Sequence, residues 1–231
     1  MIRSIVNVAF GSYLDMQARL ARELHQKYYD ARSIERFYSD LPPGCPPHKE
    51  KPYAFKAYAL EAAAKDGADL LLWLDSSIFP IRSLEPLWER IEKEGYWIAR
   101  NGWTNYQWTA FDSYKELFKG MNEEQAVELN KTIPHVVATA FGLNMKHFKG
   151  KRALELYVEY AKGDAFRGPW KNTLETPCGP HDVLGHRHDQ TALSVIAWAL
   201  EMQLTDCPEI FSYPPASEKT ILVADGGRIY G

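Results

Sequence analysis

Cysteine is scarce in this chain. Only three of its 231 residues are cysteines, Cys45, Cys178 and Cys207, and they lie far apart without a Cys-x-x-Cys pair. This spacing fits neither a disulfide framework nor a zinc site built on thiolates. Because isolated thiols are typical of a reducing compartment, we expect the protein to be cytoplasmic.

Long apolar runs and an excess of positive charge are also missing. No stretch of the sequence approaches the ~20 apolar residues that a transmembrane helix needs, and the apolar run at the N-terminus is too short for a signal peptide. The 27 Lys and Arg residues are outnumbered by 30 Asp and Glu residues, which gives a formal net charge of -3. The lack of long apolar runs predicts no transmembrane segment. Since nucleic-acid-binding proteins normally carry a basic excess, we do not expect a nucleic-acid partner either.

The sequence does contain apolar segments that alternate between strand-like runs and helical periodicity. Strands are predicted over residues 2–10, 33–38, 70–74, 96–99 and 135–144. Helices are predicted over residues 12–29, 52–65, 84–94, 112–119, 122–130, 148–162 and from 189 onward. Irregular structure is expected over 163–187 and from Pro208 to the end. This alternation predicts one α/β domain over residues 1–231, with a mostly parallel sheet flanked by helices.

One aromatic and one acidic residue lie at the carboxyl ends of predicted strands, the edge where α/β sheets bind ligands. Phe10 ends the first strand, and Asp75 comes directly after the apolar run of residues 70–74. A carboxylate held there can bind a ribose or sugar hydroxyl, or a Mg²⁺ or Mn²⁺ ion that bridges a diphosphate. Ser76 and Ser77 would add hydroxyl contacts. A purely structural interpretation stays open, in which Asp75 and the serines satisfy a turn.

Two lysines flank the start of the helix that leads into this strand. Lys51 precedes Pro52, a residue favoured in the first turn of a helix, and Lys56 follows it. Backbone N–H groups at a helix N-terminus, reinforced by lysines, can receive a phosphate group. The alternative is that both lysines are ordinary surface residues.

Residues 178–194 concentrate histidine, arginine and aspartate. Their spacing matches no closed zinc motif, but His188 could complete a divalent-metal site with Asp75. Arg187 suits phosphate oxygens because its planar guanidinium can donate two parallel hydrogen bonds. Asp189 opens a predicted helix, where a simple N-cap role is a strong alternative to a functional one.

Taken together, these motifs resemble the GT-A glycosyltransferases. The resemblance rests on a Lys-Pro helix entry at 51–52, on Trp-Leu-Asp-Ser-Ser at 73–77 and on His-Asp-Gln at 188–190, and it spans roughly residues 1–205. In that family a DxD-type motif ends the central strand and binds a metal ion and a nucleotide sugar. Here the motif is Asp-Ser-Ser, so the second carboxylate, usually the direct metal ligand, is missing.

The resemblance implies a role for each candidate residue. It implies a divalent metal, Mn²⁺ or Mg²⁺, held by Asp75 and His188. It implies that Asp189 contacts the donor sugar or deprotonates the acceptor hydroxyl. The donor would be bound by Phe10, Lys51, Lys56, Asp75, Ser76, Ser77 and Arg187.

Two further segments are candidates for binding the acceptor. Residues 101–108 mix aromatic and amide side chains, including Trp103, and this combination matches the apolar face and the hydroxyl rim of a sugar. Residues 139–144 resemble the acceptor-side strand of the family, with Gly142 and Asn144 as the predicted contacts. The alternatives are a small satellite core for the first segment and a bulge at Gly142 for the second.

The expected function is transfer of a sugar from a nucleotide-diphosphate sugar to a hydroxyl acceptor on a glycan or polysaccharide. Two alternatives stay open. A nucleotidyltransferase would keep the fold, but its usual Gly-rich basic loop is absent after the first strand, where residues 10–13 read Phe-Gly-Ser-Tyr. A non-catalytic module that binds nucleotide sugars or carbohydrate would explain the missing carboxylate.

Overall fold

A six-stranded sheet forms the centre of the molecule. The computed structural model describes residues 1–27, 32–207 and 209–224. The strands are β1 (Arg3–Val8), β2 (Ser33–Tyr38), β3 (Leu70–Leu74), β5 (Tyr96–Thr104), β6 (Pro134–Asn144) and β7 (Thr205–Asp206), and their order across the sheet is β2-β1-β3-β6-β5-β7. The pairs β1–β2, β1–β3 and β5–β7 are parallel, whereas β6 is antiparallel to both of its neighbours. Five strands therefore run in one direction, and the predicted mostly parallel α/β sheet is confirmed.

Strand β3 is buried on both faces. All five of its side chains are fully inaccessible. Leu71 and Trp73 pack into one hydrophobic core, and Leu70, Leu72 and Leu74 pack into the other. Successive side chains of a strand point to opposite faces, so a run without a polar residue is stable only between two layers of helices. This double coverage holds the end of β3, and hence Asp75, in a rigid position.

The reversed direction of β6 corrects one assumption made from the sequence. In the register of the sheet, Leu74 lies opposite Ala140 and Leu70 lies opposite Asn144. The first half of β6 therefore lies beside the carboxyl end of β3, and its own carboxyl end lies at the far edge. The backbone N–H of Asp75 donates to the carbonyl of Thr139 at 2.8 Å, which joins the two strands next to the site.

Seven α-helices are described, and most of them follow the predicted bounds. They are α1 (Leu14–Lys27), α2 (Ala54–Lys65), α3 (Glu85–Glu94), α4 (Tyr114–Leu117), α5 (Glu123–Asn130), α6 (Phe148–Lys162) and α7 (His188–Ala199). Helix α5 begins with a cap at Asn122, which exchanges hydrogen bonds with Gln125. Helix α4 is shorter than the predicted 112–119, and the last two residues of the predicted 12–29 helix lie outside the described residues.

A small second sheet replaces the irregular structure expected near the end of the chain. Strand β4 (Ile78–Pro80), which was not predicted, pairs with β9 (Leu222–Ala224), and β9 pairs with β8 (Phe211–Ser212). Very short strands carry too little periodicity to be recognised, so the prediction of irregular structure was wrong for β8 and β9, while residues 213–221 between them form neither helix nor strand. Pro208 and residues 225–231 lie outside the described part of the chain. No helix among the described residues is both long and apolar enough to cross a bilayer. The prediction of one domain over 1–231 stays a prediction.

Candidate functional site

Three charged side chains from three elements meet beyond the end of β3. The ammonium group of Lys56, on α2, lies 2.9 Å from Oδ1 of Asp75 and 2.8 Å from Oδ2 of Asp189, on α7. It also donates to the carbonyl of Ala138 on β6 at 2.9 Å. The indole N–H of Trp73 donates to the same Oδ1 of Asp75 at 2.7 Å. The structure thus brings together Lys56, Asp75 and Asp189, which the sequence had placed separately, and we call them the charge triad.

The triad is unusually well buried for a group of three charges. The side chains of Lys56 and Asp189 are 2% and 3% exposed, whereas that of Asp75 is 27% exposed. Burial by itself would lower the pKa of Lys56, but Asp189 and Asp75 reverse this effect and raise it. Burial raises the pKa of both carboxyl groups, against the lowering effect of Lys56. Because one ammonium group serves two carboxylates, the triad carries a net charge of -1 when all three groups are ionised.

A cavity of about 620 Å³ opens in front of Asp75. Its wall includes Phe10, His48, Tyr53, Asp75 and Ser77. The aromatic rings of the wall also pack on one another: the centroid of Phe10 lies 6.1 Å from that of His48, which lies 4.9 Å from that of Tyr53. A pocket with an apolar aromatic wall and one carboxylate at its base is typical of a small-molecule site.

Backbone strain marks the same region. Tyr53 and His188 have φ angles of 61° and 42°, in the left-handed region that non-glycine residues rarely adopt. Their rings lie 5.8 Å apart, and both pack near the ring of Trp170. Such conformations cost about 1–3 kcal/mol each and persist only where the surroundings enforce them, often at binding sites. Tyr53 comes three residues before Lys56, and His188 comes directly before Asp189, so both strained residues lie close in sequence to the charge triad.

Arg187 lies between two indole rings at the border of this region. Its guanidinium carbon is 4.2 Å from the centroid of Trp108 and 3.7 Å from that of Trp170. Burial lowers the pKa of Arg187, and the charges of Tyr53 and Asp189 act against this. No carboxylate among the described residues forms an ion pair with this guanidinium. Arg187 is therefore a partly desolvated cation that packs against two indole rings and whose N–H edge is left for a ligand.

The two serines of the Asp-Ser-Ser motif have different surroundings. Ser76 is buried, and its hydroxyl lies 3.2 Å from both side-chain polar atoms of Asn7, which also donates to the carbonyl of Leu74. Ser77 is half-buried on the cavity wall. The backbone N–H of Ile78 closes a turn on the carbonyl of Asp75 at 2.9 Å. The motif is thus a tight turn whose three residues all line the cavity, and the buried hydroxyl of Ser76 anchors it to Asn7.

The side chain of Lys51 contacts the end of a helix and not the cavity. Its ammonium group donates to the carbonyl of Gly163 at 2.8 Å and to that of Lys162, so it caps the carboxyl end of α6. A lysine there is favourable because it meets the negative end of the helix dipole. Lys51 is not among the described residues that line the cavity, and the donor contact predicted for it has no support from its placement.

The residues present fit a resident divalent metal poorly. No group of three or more His, Cys, Asp or Glu side chains in the described ranges is arranged to hold a metal ion. The predicted ligands are Asp75, whose Oδ1 already contacts Lys56 and Trp73, and His188, whose Nδ1 lies 3.0 Å from the carbonyl of Phe166. Burial lowers the pKa of His188 to about 4, so the ring is neutral at pH 7. One imidazole and one shared carboxylate make an incomplete ligand set beside a permanent ammonium charge.

The predicted acceptor residues are dispersed. Asn144 lies at the far edge of the sheet, where its amide donates to the carbonyl of Glu92 at 3.2 Å. Gly142 is inside the sheet, opposite Leu72. Trp103 is 46% exposed near the end of β5, at the same edge as Asp75, and packs edge-on against Trp108 at 5.8 Å. Because β6 runs antiparallel to β3, its last residues point away from the site, and only Trp103 keeps a placement that suits an acceptor role.

A substitution at Gly142 should test this placement. A Cβ atom there would come within 2.1 Å of Cδ1 and 2.6 Å of Cγ1 of Ile91 on α3. We expect Gly142→Ala to lower the free energy of unfolding by about 1–3 kcal/mol, because overpacking displaces the helix from the sheet. Urea denaturation measures the change, and Gly102→Ala, where a Cβ meets nothing within 4 Å, is the matched control. Unchanged stability of Gly142→Ala would contradict the packing described.

Sequence reasoning missed several residues that shape the site. Tyr53 and His48 form part of the cavity wall, and Trp170 covers Arg187 and His188. Tyr53 and His48 lie within a proline-rich stretch, and Trp170 lies in a loop without regular periodicity. An aromatic residue in such a loop was the available signal, but the sequence alone does not indicate which loop folds back over which strand.

The chain resembles known proteins in structure but not in sequence. No protein-family model matches the chain, and no curated protein matches its sequence. A solved glycosyltransferase involved in the glycosylation of the major capsid of PBCV-1 is similar in structure, with a TM-score of 0.52 and 12% identity over 98% of this chain and 94% of that chain. Mouse xyloside xylosyltransferase 1 gives a TM-score of 0.54 and 10% identity over 97% of this chain and 98% of that chain.

A third structure matches over part of its length. The bifunctional glycosyltransferase WbbM gives a TM-score of 0.51 and 9% identity over 97% of this chain, but over only 46% of its own. At identities of 9–12% the likeness concerns the fold alone. The chain has the fold of these glycosyltransferases, and the predicted GT-A-like α/β class is confirmed.

Proposed function

We propose that this protein transfers a sugar from a nucleotide-diphosphate sugar to a hydroxyl acceptor. The observation that carries the proposal is the charge triad of Lys56, Asp75 and Asp189 beyond β3, of which Asp75 lines a cavity. In open α/β sheets this edge is where ligands bind, and the solved structures with the same fold are glycosyltransferases.

The cavity suits the nucleotide part of such a donor. Its volume of about 620 Å³ lies in the range of small-molecule sites. The rings of Phe10, His48 and Tyr53 offer apolar faces for a base or a ribose. Asp75 is the exposed member of the triad, and its Oδ2 receives no hydrogen bond from the described residues. This oxygen would accept a hydrogen bond from a hydroxyl of the ribose or of the sugar.

The triad would favour the charge that develops during transfer. The bond between the anomeric carbon and the diphosphate oxygen breaks, so that the nucleoside diphosphate leaves with the electron pair. The acceptor oxygen bonds to that carbon, and the hydroxyl proton passes to a base, for which Asp189 is the candidate. Positive charge develops on the sugar ring when glycosyl bonds break. A preorganised group with a net charge of -1 stabilises this transition state, since it needs no rearrangement at the moment of reaction.

Asp189 lies one layer behind the cavity wall. At 3% exposure it contacts Lys56 rather than open space. A general base must come within hydrogen-bond reach of the proton that it removes. Burial raises the pKa of Asp189, and a raised pKa favours that role. We propose that Asp189 acts first through Lys56, by setting the charge of the triad; proton abstraction from the acceptor stays a prediction.

The acceptor would approach from the side of Trp103, whose exposed ring can stack on a sugar. We propose a glycan or another hydroxyl compound as this partner. Cys45, Cys178 and Cys207 are free thiols, and a cytoplasmic location is part of the proposal.

Binding and donor hydrolysis test the function together. Thermal shift with a panel of UDP, GDP, CDP and ADP should identify one nucleoside diphosphate that stabilises the protein. The matching nucleotide sugar should then be hydrolysed slowly without an acceptor and consumed faster when an acceptor is present.

We expect Asp75→Asn to weaken binding of that nucleotide sugar about 10- to 100-fold, because a charged hydrogen-bond acceptor is lost. Asp66→Asn, an exposed aspartate paired with Arg36, is the control.

The outcomes separate the alternatives. Binding without turnover, with every sugar and acceptor, would support a non-catalytic module instead. Release of pyrophosphate from a nucleoside triphosphate and a sugar phosphate would indicate nucleotidyl transfer. Wild-type affinity of Asp75→Asn would contradict the donor site.

A further inference from the structure

We infer that Arg187 supplies the positive charge that stabilises the diphosphate of the donor, and that the site works without a divalent metal ion. This inference rests on the proposed function and adds the cofactor requirement to it. The geometric basis is the guanidinium held between Trp108 and Trp170 at 4.2 and 3.7 Å.

The stacking of Arg187 restricts where an anion can bind. Two indole rings pack against the guanidinium, and its N–H groups donate in the plane of the group. This edge matches two oxygens of a phosphate, which accept parallel hydrogen bonds. Because the side chain is fixed by the two rings, little conformational entropy is lost when the phosphate binds.

Arg187 has no partner that neutralises it. No Asp or Glu side chain in the described part of the chain lies within ion-pair distance of its guanidinium, whereas most other arginines of the described ranges form such pairs, as Arg36 does with Asp66 and Arg100 with Asp206. A cation that is half-buried and unpaired is unfavourable unless a ligand supplies the opposite charge. The arrangement therefore points to an anionic ligand at this edge.

The position of Arg187 connects it to the cavity of Asp75. Tyr53 lines that cavity, and its ring lies 5.9 Å from Trp170, one of the two rings that hold Arg187. A donor whose nucleoside occupies the cavity can thus extend its diphosphate toward the guanidinium.

The alternative source of positive charge, a divalent metal, is disfavoured by the ligands themselves. Ser77 replaces the acidic residue that a DxD motif would place on the ion, and the remaining carboxylate of the motif, Asp75, is already shared with the ammonium group of Lys56 at 2.9 Å. Asp189 is bound to the same ammonium group. A second cation at this point would be repelled by Lys56, while Arg187 stands on the other side of Tyr53 without a counter-ion.

Isothermal titration with nucleoside diphosphates tests the inference. The probes are UDP, GDP, CDP and ADP, each with its unphosphorylated nucleoside, in EDTA and in Mn²⁺. We expect the dissociation constant of the preferred diphosphate to agree within about twofold between the two buffers. Arg187→Gln, which keeps a planar group between the indoles, should weaken the diphosphate about 10- to 100-fold and leave the nucleoside unchanged.

Two further variants control for folding and for charge. Arg187→Lys keeps the charge without the planar fork and should recover part of the affinity. Arg167→Ala removes an exposed arginine paired with Asp164 at 3.3 Å and should bind like the wild type. Tryptophan fluorescence, to which all seven indoles including Trp108 and Trp170 contribute, shows whether each variant keeps the tertiary structure of the wild type.

Each result decides between the two proposals. Diphosphate binding that tightens tenfold or more with Mn²⁺, or wild-type affinity of Arg187→Gln, would overturn the inference and leave the proposed function standing. If no nucleoside diphosphate binds in either buffer, the proposed function fails and this inference fails with it.

Discussion

Lys56→Met is expected to lower the free energy of unfolding by about 3–5 kcal/mol at neutral pH. The substitution keeps the length of the side chain but leaves Asp75 and Asp189 without their shared cation, at a point where Lys56 is only 2% exposed. It also removes the hydrogen bond to the carbonyl of Ala138. Breaking a buried ion pair costs far more than breaking a surface pair, because the remaining charge stays desolvated.

The stability deficit of Lys56→Met should grow as the pH rises. The pKa values of Asp75 and Asp189 are raised by burial even with Lys56 present, and removing the ammonium raises them further. A carboxyl group whose pKa is higher in the folded than in the unfolded state favours folding at low pH and loses this contribution as the pH passes its folded pKa. Urea denaturation at pH 5 and pH 8 should therefore show the larger deficit at pH 8.

Two variants complete this experiment. Lys65→Met removes an exposed lysine from the same helix, 3.1 Å from Glu61, and should change stability by less than about 1 kcal/mol. The double variant Lys56→Met/Asp189→Asn should recover part of the loss, because one of the two uncompensated charges is gone. Equal deficits at both pH values would show that Lys56 contributes packing rather than charge.

Asp189→Asn is expected to reduce glycosyl transfer about 100- to 1,000-fold while the nucleoside diphosphate binds within a few-fold of the wild type. With an amide at this position, Lys56 neutralises Asp75 alone, and the triad loses its net negative charge. The transition state would then lose electrostatic stabilisation that the ground state of the bound nucleotide does not need. Single-turnover rates, compared with the titrated affinity, measure both effects.

The control for Asp189→Asn is Asp164→Asn, which changes an exposed aspartate paired with Arg167. Because Asp189→Asn removes one of two carboxylates that share a cation, the fold should be no less stable, and lost activity cannot then be assigned to unfolding. Undiminished turnover would exclude any role of Asp189 in transfer.

The position of Asp75 could be predicted because its signal is local. Five consecutive apolar residues form a strand only when both faces are covered, and the residue that follows such a strand lies at the ligand-binding edge. The alternation of strands and helices likewise indicated the α/β class. Both inferences need only neighbouring residues and general packing rules.

The direction of β6 could not be predicted from neighbouring residues in the same way. An apolar strand has the same pattern whether it runs parallel or antiparallel to its neighbour, and Gly142 and Asn144 were predicted to contact the acceptor. The reversed pairing with Leu70 and Leu74 moves Gly142 and Asn144 to the interior and to the far edge. Strand direction is decided by the connections on either side, which the local pattern does not contain.

Lys56 shows a second limit of prediction from the sequence. Its sequence neighbours, Phe55 and Ala57, offer no opposite charge, yet it is buried between carboxylates that come from the end of β3 and the start of α7. Its charge is compatible with burial only because these distant groups meet it. The same holds for Arg187, whose two indole partners lie in separate loops.

The reversed strand has a consequence for how the protein can diversify. Strand β5 ends, and β6 begins, at the edge of the sheet that holds Asp75, so residues 105–133 leave and re-enter the sheet at that edge. Lengthening the exposed turn at residues 119–122 would leave the registers of both strands unchanged, since neither end of the segment has to cross the sheet. New recognition surfaces can be grafted here while the donor pocket keeps its shape.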